Sequence, residues 1–289
     1  MSQYTLGDDD LVNLKGRTIL ITGAATGIGN TTVKIAHEHG ANVIIGDCNE
    51  EEGSKLAKEL GHNALFRTTD VSKFDDVLEL FQAGYKRFGI IHSVISNAGM
   101  NKEDLFADEY DKNGKLLAPS LSSIDVNLRG VIYVVKCALH YFSKWSETKS
   151  QIVITTSAAS YLDTPPSYLY CAAKTGVLGF MRGLRSQLPK RNITINLVAP
   201  WMTFTNMLPP SIVEAWGDLP ANQPWGVARA LLLPLVQTDI NGKSFFVAGH
   251  KIVELENSLL ETRPSWMGEQ LAMDVAKGQR ILGAAEPLK

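Results

Sequence analysis

The chain has 289 residues, 45% hydrophobic and 20% charged, which is enough apolar content for a large core and argues against a disordered or fibrous protein. A formal net charge of -2 with no long Lys/Arg run supplies no basic field, so nucleic acid is not an expected partner. Cys48, Cys137 and Cys171 show neither Cys-x-x-Cys spacing nor a neighbouring His cluster. No metal site and no disulfide framework is therefore expected, and a reducing, cytoplasmic setting fits.

The N-terminus carries three consecutive aspartates, Asp8 to Asp10, where a secretory signal needs a basic start and an apolar run, so export is not expected. The first strand is read at Thr18–Thr22, followed by a helix from Asn30 to His39. A second strand, Asn42–Ile45, leads to a helix at Glu50–Leu60, and a third, Ala64–Phe66, to one at Phe74–Phe88. The fourth strand is Ile90–Ile95. A stretch without periodicity, 101–119, separates it from a long helix at Leu121–Trp145. Strand Ile152–Thr155, helix Ala172–Leu188 and strand Ile193–Val198 come next. An irregular segment at 200–225, rich in Pro, Trp and Met, precedes the apolar run Val227–Val236 and a last strand, Ser244–Val247. That run is interrupted by Arg229 and Pro234 and is far shorter than the ~20 residues of a spanning helix, so no membrane association is expected.

Strands apolar on both faces and alternating with helices predict an α/β protein with a parallel sheet buried on two sides. No linker or repeat divides the chain. One domain over 1–289 is expected, of Rossmann type: a doubly wound parallel sheet of about seven strands with helices on both faces. The insertion at 101–119 and the lid at 200–225 are candidate functional loops.

Directly after the first strand stands Thr22-Gly-Ala-Ala-Thr-Gly-Ile-Gly29. Its backbone from Gly23 through Thr26, Gly27 and Ile28 to Gly29 is suited to a tight turn that brings a pyrophosphate to a helix N-terminus. Asp47 closes the second strand 18 residues beyond Gly29, where a carboxylate meets the adenosine ribose hydroxyls and repels a 2′-phosphate. No Arg or Lys stands nearby to hold that phosphate, so NAD is expected over NADP. Asp70 and Val71, and Asn97, Ala98 and Gly99, follow the third and fourth strands at the same edge of the sheet, where ligands bind in open α/β folds.

Among the eight tyrosines only Tyr170 has a Lys four residues on, which puts Tyr170 and Lys174 one helical turn apart on one face. A phenol of pKa about 10 is a poor base at neutral pH. A neighbouring ammonium and the positive ring of an oxidised nicotinamide are expected to lower it, so that Tyr170 exchanges a proton while a hydride moves to or from the cofactor.

These residues together resemble the short-chain dehydrogenase/reductase family, over roughly residues 14–250. The family's Thr-Gly-x-x-x-Gly-x-Gly is met by Thr22, Gly23, Gly27 and Gly29, and its Asn-Ala-Gly by Asn97, Ala98 and Gly99. Its catalytic asparagine, serine and Tyr-x-x-x-Lys are met by Asn127, Ser157, Tyr170 and Lys174, with Ser157 at the usual 13 residues before Tyr170. The resemblance implies Tyr170 as acid/base, Ser157 as hydrogen-bond partner of the substrate oxygen, Lys174 on the nicotinamide ribose and Asn127 holding a relay water. It also implies Asp70 at the adenine, Asn97 stabilising the central strands, and Pro200, the Thr203 backbone and Thr205 around the carboxamide and phosphates. A homodimer or homotetramer built on the two long helices fits the family.

Two departures stand out. Trp201 occupies the position after Pro200 where the family has Gly, and the extension 259–289 resembles fungal members of secondary metabolism. Tyr161, Trp201, Met202, Phe204 and Met207 border the expected site and point to an apolar or polycyclic small-molecule substrate. The leading expectation is NAD-dependent interconversion of a secondary alcohol and a ketone. The alternatives are a non-redox cyclisation or isomerisation on the same fold, motivated by Trp201 and the long lid, and a cofactor-sensing regulator without catalysis.

Overall fold

The structure, a computed structural model, describes residues 3–102 and 104–284. The strands among them are β1 (Gln3–Tyr4), β2 (Thr18–Thr22), β3 (Asn42–Asp47), β4 (Ala64–Thr68), β5 (Ser93–Ser96), β6 (Ser150–Thr155), β7 (Ile193–Pro200), β8 (Ser244–Ala248) and β9 (Lys251–Glu254). The helices are α1 (Gly27–Glu38), α2 (Glu50–Leu60), α3 (Phe74–Phe88), α4 (Ser122–Ile124), α5 (Val131–Phe142), α6 (Tyr168–Leu184), α7 (Pro210–Trp216), α8 (Pro224–Val236), α9 (Glu256–Glu261), α10 (Arg263–Met267) and α11 (Glu269–Ile281). Among the described residues no helix is long and apolar enough to cross a membrane.

One sheet runs through the molecule in the order β1-β9-β8-β7-β6-β5-β2-β3-β4. From β8 to β4 every pairing is parallel, and the order reverses beside β2. A crevice therefore opens at the carboxyl ends of β2 and β5, the switch point where such sheets bind ligands. Two separate apolar clusters cover the faces. One joins β2, β3 and β8 to α1 and α8, the other joins β5, β6 and β7 to α3, α5 and α6. The buried Ile19, Leu20 and Ile21 alternate between them, which is why this strand reads as a continuous apolar run.

The sheet has nine strands, not about seven. The two extra ones, β1 and β9, form an antiparallel edge. Each is short, β1 spanning two residues and β9 four. The β8–β9 hairpin is turned by Gly249 and His250, both in the left-handed region at φ 53 and φ 64, as a two-residue primed turn requires.

The expected helix Leu121–Trp145 divides into α4, a π-helical stretch at Asp125–Gly130, α5 and a 3₁₀ turn at Ser143–Trp145. The helix expected at Ala172–Leu188 starts earlier, at Tyr168, so Tyr170 lies in its first turn. The 101–119 insertion closes on that turn: Asn101 donates to Ser167 Oγ at 2.9 Å, and the Phe106 ring packs edge-on to Tyr168 at 4.7 Å. The lid contains α7, and the C-terminal extension is helical through α9, α10 and α11. Residues 285–289 of that extension lie outside the described ones.

Candidate active site

The glycine turn is built by close approach. A Cβ on Gly29 would stand 2.1 Å from the Gly23 carbonyl oxygen, and one on Gly23, at φ +65, would stand 2.5 Å from Ala98 Cα. Neither backbone can yield, so both positions exclude a side chain. Gly27, at φ +56, meets only Thr205 at 3.6 Å, so a side chain there would fill the space above the turn. Helix α1 starts at Gly27, and its cap residue Thr26 makes no side-chain capping bond, so the first-turn N–H groups face that same space.

Asp47 is tied to this turn. Its Oδ2 accepts from the Ala25 N–H and its Oδ1 from the Asn49 N–H, both at 2.9 Å. Asn97 bridges three strands, donating to the Gly23 carbonyl at 2.9 Å and accepting from Thr155 Oγ1 at 3.0 Å. Its side chain thus ties the ends of β2, β5 and β6 together. Thr22 Oγ1 accepts from the N–H groups of Asn97 and Ala98. Asp70 is held in its own loop by Ser72, whose N–H and hydroxyl both bond Oδ1, and by Lys73 at 3.5 Å. Burial opposes ionisation there, yet the Ser72 hydrogen bonds and the Lys73 charge leave the Asp70 pKa below the usual range. Val71 packs against Gly130, where a Cβ would stand 2.9 Å from Val71 Cγ2.

Ser157 ends the turn after β6 and hydrogen-bonds the Tyr170 hydroxyl. Lys174 lies behind the tyrosine, its Nζ 5.5 Å from the Tyr170 ring centroid and donating to the Thr155 carbonyl at 2.9 Å. A Cβ on Gly99 would stand 2.9 Å from Asn127 Oδ1 and 3.6 Å from Lys174 Nζ, so Gly99, Asn127 and Lys174 meet at one point. The four catalytic candidates, from three segments of the chain, therefore come together at the carboxyl ends of β5 and β6.

One expectation is corrected here. Tyr170 is raised, not lowered, in the protein alone, because burial outweighs the Ser157 hydrogen bond that pulls it down. Lys174 itself is lowered to about 8 by burial. The Asn127 side chain spends both N–H donors on backbone, the Met100 carbonyl at 2.6 Å and the Ser123 carbonyl at 2.8 Å. It pins the strand-end loop, with Oδ1 accepting from the Met100 N–H at 3.3 Å, and it sits in the π-helical stretch, a deviation that often marks functional sites.

At the start of the 200–225 segment, Trp201 keeps an ordinary negative φ, and its N–H bonds the Val247 carbonyl at 2.9 Å. The replacement of glycine thus introduces no strain there, and the motif alone gives no reason to prefer a non-redox reaction. The Trp201 ring stacks edge-on to Trp216 at 5.6 Å, and Met202 and Phe204 follow it along the lid. Met207 is exposed. Pro200 closes β7, and Thr203 is buried, its hydroxyl donating to the Trp201 carbonyl at 2.8 Å.

Tyr161 does not join them. Its hydroxyl reaches Glu256 Oε1 at 3.4 Å beside Arg182, which lies about three turns along α6 from Tyr170. Its side chain serves the junction with the C-terminal extension. Two residues with no sequence signal stand out in this region: Glu256, buried and bonded by Arg182 and Arg185, and Asn222, buried at the end of the lid. Their partners are distant in sequence, so no local spacing marks them.

A family model described as short chain dehydrogenase matches residues 17–213, which contain the glycine turn, Asn127, Ser157, Tyr170 and Lys174. Short-chain dehydrogenase/reductase ascJ of Acremonium egyptiacum is 33% identical, over 90% of this chain and 88% of its own length. Short-chain dehydrogenase/reductase prx4 of Penicillium roqueforti is 29% identical over 93% and 85%, and the 5'-hydroxyaverantin dehydrogenase of Dothistroma septosporum 33% over 70% and 72%. The fold is shared with a 3-ketoacyl-(acyl-carrier-protein) reductase from Brucella melitensis, solved with NADH, at TM-score 0.71 and 24% identity over 82% of this chain and 98% of that one. The matched segments are those that build this site, and the fungal relatives cover nearly the whole chain: it is a dehydrogenase/reductase enzyme and belongs to the short-chain dehydrogenase/reductase family.

Proposed function

We propose that the protein is an NAD-dependent oxidoreductase that interconverts a secondary alcohol and a ketone on an apolar, ring-containing small molecule. The observation that carries the reading is the Ser157–Tyr170 hydrogen bond with the buried Lys174 ammonium behind the phenol ring. The glycine turn fits a dinucleotide, because the space above Gly27, bordered only by the Thr205 side chain, faces the N-terminus of α1. Gly23, Thr26, Gly27, Ile28 and Gly29 would hold its pyrophosphate, Asp47 its adenosine ribose, Asp70 and Val71 its adenine, and Thr203 and Thr205 its nicotinamide end. When bound, that group supplies the acceptor or donor of hydride.

The chain's own residues manage the proton. Ser157 and Tyr170 present two hydroxyls to the same point, so a substrate oxygen there receives hydrogen bonds from both. In the oxidation direction the alcohol proton passes to the Tyr170 oxygen; in reduction the Tyr170 hydroxyl returns it to the ketone oxygen. Lys174 is charged below about pH 8 and holds positive potential against the phenol ring, favouring the phenolate whenever it forms. Asp47 supports NAD over NADP, since among the described residues no guanidinium or ammonium contacts its carboxylate and a 2′-phosphate would meet its charge.

The Trp201–Trp216 pair, Met202 and Phe204 support an apolar substrate. The lack of Cys-x-x-Cys spacing among Cys48, Cys137 and Cys171 supports a reducing cytoplasmic setting, and the exposed faces of α5 and α6 support a homodimer or homotetramer. The test is Tyr170→Phe, assayed by nicotinamide absorbance with hydrophobic secondary alcohols. Turnover should fall by about 10²- to 10⁴-fold with NAD binding retained. Unchanged turnover removes the mechanism, and a clear preference for polyols removes the apolar substrate.

A further inference from the structure

Asn222 is fully buried where the lid rejoins α8. Its side-chain amide donates to the Val247 carbonyl at 2.8 Å and to Thr203 Oγ1 at 3.4 Å, and its Oδ1 accepts from the His250 N–H at 3.0 Å. Its backbone N–H bonds the Met202 carbonyl at 2.7 Å, and its carbonyl accepts from the Phe204 N–H at 2.9 Å. One residue thus joins the first turn of the lid, the end of β8 and the β8–β9 turn, where His250 is held at φ 64. The bond from Asn222 also reaches the same Val247 carbonyl that receives the Trp201 N–H.

The two backbone bonds make Thr203 and Asn222 an isolated parallel bridge. In that pattern the flanking residues, Met202 and Phe204, turn their peptide groups to Asn222, and the N–H and C=O of Thr203 itself point to the opposite side. The same segment carries Thr205 against the glycine turn, within 3.6 Å of the place a Gly27 side chain would take. The backbone of Thr203 is therefore directed by a residue well separated from it in sequence.

We propose that Asn222 is a positioning residue that aims the Thr203 peptide at the carboxamide of a bound nicotinamide, so that its loss weakens the nicotinamide half of the cofactor and leaves the adenine half alone. This rests on the dinucleotide reading of the site. The glycine turn, Asp47 and Asp70 serve the adenine half and share no hydrogen bond with Asn222.

The experiment compares full-length wild type, Asn222→Ala and Asn222→Ser by calorimetric binding of NADH and of ADP-ribose, which lacks the nicotinamide. Thermal melts run alongside to confirm folded samples. The expected result is an NADH affinity reduced about tenfold or more in Asn222→Ala, with ADP-ribose affinity unchanged within twofold. Asn222→Ser keeps a donor and an acceptor in a smaller volume, so it should lie between and serves in place of Asn222→Ala if that variant does not fold. Equal weakening of both ligands, or of neither, overturns the proposal and leaves the dinucleotide reading standing. A wild-type protein that binds neither ligand overturns both.

Discussion

Lys174→Met tests what the buried ammonium costs the fold. Lys174 is only 2% exposed, and burial lowers its pKa from the ordinary 10.5 to about 8. A shift of that size corresponds to about 3 kcal/mol held against folding with a charged lysine. Met has a similar unbranched length and carries no charge, but it abandons the 2.9 Å bond to the Thr155 carbonyl, a loss of about 1–2 kcal/mol. The net expectation is a variant more stable by roughly 1–2 kcal/mol, a rise in Tm of about 2–4 °C for a chain of this size.

The pH dependence carries the sign of the argument. Below about pH 8 Lys174 is charged in both the folded and unfolded states, and the whole penalty is present. Between about 8 and the ordinary 10.5 the folded protein gives up the proton while the unfolded chain keeps it, so wild-type stability rises with pH relative to the variant. Melts of both proteins from pH 6 to pH 10, with turnover measured in parallel, decide the matter. The reasoning fails if Lys174→Met is the less stable protein at pH 7, or if the difference between the two stays flat across that range. Retained turnover would remove Lys174 from the site. Loss of turnover with a gain in stability identifies a residue kept for chemistry at the expense of folding.

Other outcomes follow from single contacts. Glu256→Ala strips Arg182 and Arg185 of a buried carboxylate held by bonds of 2.7–2.9 Å, which should cost about 3 kcal/mol and lower Tm by roughly 6 °C, measured by differential scanning calorimetry. A change under about 1 °C would mean that solvent already screens the pair. Asp47→Ser removes the carboxylate that a 2′-phosphate would face, so the ratio of kcat/KM for NADP to that for NAD should rise by about tenfold or more. An unchanged ratio would show that cofactor choice is made elsewhere.

Much of the fold was legible because the signals are local. The apolar runs at Thr18–Thr22 and Asn42–Asp47 announce strands buried on two faces, and the helices Glu50–Leu60 and Phe74–Phe88 lie where their spacing puts them. The glycine turn and the Tyr170/Lys174 step are equally short-range. The edge strands β1 and β9 escaped this reading, being too short to show a period and joined to the sheet by pairing with each other and with β8.

Taken alone, the sequence determined the α/β class and the order of the main elements along the chain, and it nominated Asn127, Ser157, Tyr170 and Lys174, since each depends on residue type and spacing within a few turns or strands. Tertiary structure alone decided that Tyr161 turns to Glu256, that the Asn127 amide is spent on backbone, and that burial sets the direction of the Tyr170 and Lys174 shifts. It alone disclosed Asn222, whose partners at Thr203, Val247 and His250 come from three segments. The physical reason is common to all of these: dehydration and hydrogen-bond partnership are properties of where segments meet, and a chain's local periodicity records which elements form but not which of their side chains will face one another.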